Sequence, residues 1–113
     1  MKAASLSPRL ARLPRHRVLG REVPIAAGAR ARLLGLALLP RERAGTGLLI
    51  PRCASVHTFG MRFALDVVFL DMALRPLAVH RAVPPRRLLL CRGARAVLEI
   101  PAAQGGEFVP PGT

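Results

Sequence analysis

Four residues of this chain have types and spacings that could do chemistry: Cys53 and His57, four apart, and Asp66 and Asp71, five apart. The first pair would be a thiolate nucleophile with its base, and the second a carboxylate couple for hydrolysis. Strand geometry works against both. In an extended segment Cys53 and His57 stand roughly 13 Å apart, whereas a nucleophile and its base must approach to about 3 Å. Asp66 and Asp71 are about 16 Å apart and point to opposite faces, too far even for an inverting pair. Cys53 is therefore given a structural role. Asp71 is expected to accept backbone N–H bonds in the turn that follows it.

Asp66 interrupts a run that is otherwise apolar, and a buried carboxylate needs a partner. Arg62 is nearest in sequence. With a hairpin turn at 62–65, Asp66 lies beside or opposite Met61–Arg62, and an Asp66–Arg62 pair is expected. His57 then shares a face with Phe59 and Met61. One reading makes these residues hydrogen-bonded members of the core. The other makes a shallow pocket of His57, Thr58, Met61, Arg62 and Asp66, in which Arg62 holds an anion and His57 tunes binding near neutral pH.

Glu99 shares a strand face with Arg95 and Val97 and is expected to be structural, through an exposed Arg95–Glu99 contact. A metal cluster of His57, Asp66, His80 and Glu99 has no supporting local spacing, so no metal is assigned. There is no P-loop, no Rossmann glycine pattern and no GxSxG, and neither a cofactor nor a catalytic residue is assigned. The chain thus reads as a non-catalytic binding or accessory module with its polar site on the His57–Asp66 strand pair. The alternative is a small metal-assisted enzyme using His57, Asp66 and Glu99.

The elements that must position these side chains fit one domain of 113 residues. Residues 1–21 carry six cations and no acid, and read as a solvated basic arm leading into a short strand near His16–Leu19. Pro8 and Pro14 would interrupt any helix there. Residues 22–113 form the domain. Ala26–Leu38 reads as a helix with an apolar stripe of Ala29, Leu33, Leu36 and Ala37. Gly35 within it either permits close packing or ends the helix early. Strands are expected at Leu48–Ile50, Val56–Met61, Phe63–Leu70, Leu77–Val83 and Ala94–Ile100, with Phe63–Leu70 central because it is apolar on both faces apart from Asp66. Pro84-Pro85-Arg86-Arg87 reads as an exposed basic loop. The fold class is α+β: a small, mostly antiparallel curved sheet or partly open barrel with one main helix.

Charge is the strongest compositional feature. The formal net charge is +12, and of eighteen cations only Lys2 is lysine. This favours anionic partners in general, an anionic small molecule or an acidic protein surface. Weak, sequence-independent nucleic-acid binding through arginines is a second alternative. A stacking platform is not available to it, with no Trp or Tyr and four Phe that fall mainly in core strands. The longest greasy run, Leu33–Leu39, is far short of the roughly 20 residues that span a bilayer, and the N-terminus lacks an apolar signal core. A cytoplasmic location is expected, with Cys53 and Cys91 as reduced, buried thiols.

Three stretches together resemble the bacterial and archaeal family known as domain of unknown function 192. Arg32-Leu33-Leu34-Gly35-Leu36 looks like its helix ending in a GL-type motif. The run from Ser55 to Asp71, SVHTFGMRFALDVVFLD, looks like its SxHTFxMRFPIDVxFLD signature. Ala96-Val97-Leu98-Glu99-Ile100-Pro101-Ala102 is similar to its late A-x-VLE-x-x-A strand. Ala64 stands where many relatives have proline, and the end at Gly112-Thr113 leaves their final strand missing or reduced. The family has no established enzymatic activity, so the resemblance implies the fold rather than the function.

Overall fold

The computed structural model describes residues 6–103. Its centre is a four-stranded antiparallel sheet in the order β3-β8-β5-β6, built from Leu48–Pro51, Ala96–Pro101, Leu65–Leu70 and Pro76–Val83. Side chains alternate across a strand, so a sheet covered on both faces needs strands that are apolar at every position. β5 and β8 meet that requirement at every position but one each, Asp66 in β5 and Glu99 in β8. Leu65, Val67, Phe69 and Val97 enter one apolar cluster, while Val68, Leu70, Leu98 and Ile100 enter another on the opposite face.

A hairpin of β1 (Arg15–Val18) and β2 (Arg21–Pro24) extends from the β3 edge, tied by a parallel bridge between Ile25 and Leu49. Its Val18 and Val23 cover the second face. The first face is covered by the short helices α1 (Pro8–Ala11) and α2 (Ala29–Leu34) and by a two-stranded ribbon of β4 (Ser55–His57) and β7 (Leu88–Leu90). Among the described residues, no helix is long and apolar enough to cross a membrane.

Several expectations change. Within the described residues 6–21 the basic stretch is folded and not a free arm: Leu10 is buried, and Pro8 starts α1 rather than breaking it, since the first helical position has no intrahelical partner for its N–H. The main helix is six residues long, because Gly35 (φ +53°) ends it. Its expected apolar stripe splits accordingly, with Ala29 and Leu33 exposed and Leu36 and Ala37 buried beyond the helix. β4 is short and pairs with β7, a strand not anticipated, and not with β5. Cys53 and Cys91 are unbonded and only half-buried. The tail after residue 103, where the reduced final strand was expected, lies outside the described residues.

Candidate functional site

The sequence-derived residues do not converge on one pocket. Asp66 sits where β5 and β6 lose register: Leu65 faces Val83 and Val67 faces His80, so Asp66 opposes two residues, Arg81 and Ala82. Such a bulge leaves a backbone N–H without a ladder partner. Asp66 supplies one, its Oδ1 accepting from Ala82 N at 2.8 Å, with Ala82 in the left-handed region at φ +50°. Arg62 is exposed and forms no ion pair with Asp66. The expected pair fails because β4 and β5 are not hairpin partners, so nothing brings residue 62 back along the strand.

Thr58 is fully buried, and its hydroxyl donates to the Pro84 carbonyl at 2.7 Å while accepting the Arg87 N–H at 2.8 Å. It clamps the basic 84–87 loop. Met61 is a core residue. Asp71 Oδ1 accepts the Ala73 and Arg75 N–H groups at 2.8 and 2.9 Å, which closes the turn after β5.

His57 and Glu99 do meet, around a cavity of about 330 Å³ between α2, the β4–β7 ribbon and the first face of the sheet. That volume falls at the low end of the range for small-molecule sites, about 300–1,000 Å³. Its apolar walls include Leu34, Ile50 and Val56, and the exposed side chains of Leu33 and Leu88 form its lip. Its polar lining comes from Arg32, Cys53, Ser55, His57 and Glu99. Cys53 also lines a larger cavity of about 790 Å³ that carries Arg52 and Arg95.

Glu99 is 2% exposed and makes no contact with Arg95, which is itself exposed. The expected surface pair fails because β8 is an interior strand, covered on both faces. Instead the Leu36 N–H donates to Glu99 Oε1 at 3.3 Å. Gly35 packs directly over the carboxyl, and a Cβ there would lie 2.7 Å from Oε1. Burial pushes the Glu99 pKa up to about 7, an effect that the Leu36 hydrogen bond only partly offsets.

His57 is committed to backbone partners. The Phe59 N–H can only donate, so Nδ1 (3.2 Å away) accepts, which leaves the hydrogen on Nε2 facing the Leu33 carbonyl at 3.0 Å. The ring therefore ties β4 to the end of α2. The Cys53 thiol donates to the Ser55 carbonyl at 2.8 Å. Asp66 and Glu99 lie on opposite faces of the sheet, since Asp66 is in register with Ile100 while Glu99 is paired with Val67. They cannot act as an acid–base couple. Among the described residues, no three His, Cys, Asp or Glu side chains are grouped to hold a metal ion.

Two supporting residues had no signal in the sequence. Arg9 of α1 donates from Nη2 to the carbonyls of Gly35 and Ala37, both at 2.9 Å, and so holds the loop that covers Glu99. Arg32, in the last turn of α2, reaches the Arg52 carbonyl at 2.6 Å. Either arginine could have been picked out only by knowing the tertiary path of the chain.

The fold defines a small α+β domain. The chain belongs to the DUF192 family, described as an uncharacterized ACR, whose model matches residues 13–107. No curated protein matches the chain. A crystal structure of a protein of unknown function from Novosphingobium aromaticivorans is similar with a TM-score of 0.58 and 23% identity, covering 78% of this chain and 70% of that one. A Sinorhizobium meliloti protein, described as a candidate transcription regulator, is similar with a TM-score of 0.59 and 19% identity, over 78% of this chain and 77% of that one. At these identities the likeness is one of fold.

Proposed function

We propose that this domain is a non-catalytic binding module whose site is the cavity beneath α2, rather than the His57–Asp66 strand pair. One observation carries the reading. Glu99 is almost wholly buried, holds a single backbone N–H on Oε1, and lines a cavity without forming an ion pair. An uncompensated buried carboxyl is costly, and a ligand that meets it recovers that cost on binding. His57 acts as a positioning residue that fixes the cavity wall. Fragment mixtures titrated into the full chain and followed by ¹⁵N–¹H correlation spectra test the reading. Hits should move the amides of Leu34, Leu36, Ser55, His57 and Leu88, and Ala29→Phe, which fills the cavity from the exposed side of α2, should abolish those shifts. Fragments that bind elsewhere, or ignore the filled cavity, would contradict it.

A second reading rests on charge. The net charge of +12, the exposed Arg62, Arg86 and Arg87, and the description of the Sinorhizobium neighbour favour weak contact with nucleic-acid backbones. Affinity for arbitrary duplex should then fall steeply with salt, and a salt-independent affinity would remove this reading.

A further inference from the structure

Two of the polar side chains lining the cavity are already occupied. Both His57 nitrogens face backbone partners, and the Cys53 thiol is spent on Ser55. Two charged groups keep capacity for a ligand. One is Arg32, whose guanidinium is anchored through Nη2 on the Arg52 carbonyl while its Nε–H is buried without a partner. The other is Glu99, which is bonded through Oε1 only. A buried donor left unsatisfied is rare enough to call for an explanation.

Arg32 and the ionised form of Glu99 carry opposite charges and line the same cavity, yet the two residues form no ion pair with each other. The gap between them is what a ligand would close. Arg32 asks for an anionic acceptor, Glu99 for a cationic donor, and Leu34, Ile50 and Val56 for an apolar body. The geometry points to a small zwitterion as the ligand, its carboxylate on Arg32 and its ammonium on Glu99, an inference that rests on the binding reading above.

The chain's overall field supports this choice. A simple amine would approach a protein of net charge +12 against repulsion. A simple carboxylate would be attracted but would set a like charge beside Glu99. A zwitterion meets neither objection, and its two ends restore the hydrogen bonds that Arg32 and Glu99 lack.

Calorimetric titration of the full chain tests this with two zwitterions of different span, L-leucine and 6-aminohexanoate. Each is compared with its singly charged counterparts: leucinamide and 4-methylpentanoate for the first, hexylamine and hexanoate for the second. At least one zwitterion should bind about tenfold or more tighter than both of its counterparts. Glu99→Gln, which keeps an acceptor for the Leu36 N–H, should remove that preference. If a singly charged probe binds as well as its zwitterion, or no probe binds while fragments still enter the cavity, the zwitterion inference falls and the binding reading stands. If fragments do not enter the cavity either, both fall.

Discussion

Gly35 stands over Glu99 at a separation that leaves no room for any side chain, since a Cβ would lie 2.7 Å from Oε1. These two residues come from stretches more than sixty positions apart, the glycine that ends α2 and the glutamate within β8. Their contact explains why a helix-ending glycine and a buried acid occur in the same chain. The glycine lets the backbone approach, the next amide binds the carboxyl, and together they close one wall of the cavity.

Gly35→Ala should therefore be costly on two counts. The backbone angles of φ +53° and ψ −127° disfavour any residue with a Cβ, and the new methyl would displace the carboxyl from the Leu36 N–H. A loss of about 2–4 kcal/mol is expected in chemical denaturation. Stability equal to that of the unmodified chain would show that the loop can relax away from Glu99.

The raised Glu99 pKa gives stability a pH dependence of definite sign. Between the ordinary value of 4.5 and about 7, the folded chain keeps a proton on Glu99 that the unfolded chain has released. Stability from this group therefore falls as pH rises through that window. The penalty is absent below it and complete above it, reaching roughly 3 kcal/mol. Denaturation of the native chain and of Glu99→Gln between pH 4.5 and 8 should diverge in this direction. Parallel curves would contradict the burial of an ionisable carboxyl.

Asp66 and Arg62 should be energetically independent. Removing the Asp66 acceptor with Asp66→Ala strands the Ala82 N–H at the bulge and should cost about 1–3 kcal/mol, whereas Asp66→Asn keeps an oxygen there and should cost less. A double-mutant cycle with Arg62→Ala should show coupling no larger than about 0.5 kcal/mol. A coupling of 1 kcal/mol or more would restore the ion pair that sequence proximity suggests.

The fold was legible in the sequence wherever patterning is local. The run at 65–70, apolar on both faces apart from Asp66, marks an interior strand, and the stretches resembling the family mark the right architecture. The site was only half legible. His57 and Glu99 both stand out in the sequence, but Glu99 reads there as a surface residue because a strand's own periodicity does not reveal whether a helix covers it. Asp66 was paired with the nearest arginine because its actual partner is a backbone amide exposed by a bulge, a feature with no side-chain signature. Arg9 and Arg32 carry no sequence signal for a similar reason, since both donate to main-chain carbonyls distant in sequence.

The central claim is that Glu99 is a buried, uncompensated carboxyl facing a ligand cavity, and its own titration tests this most directly. The ¹³Cδ resonance of Glu99, followed by NMR in the full chain without ligand, should titrate with a midpoint of about 7. A midpoint near the ordinary 4.5 would mean that the carboxyl is solvated or already paired, and would contradict the account.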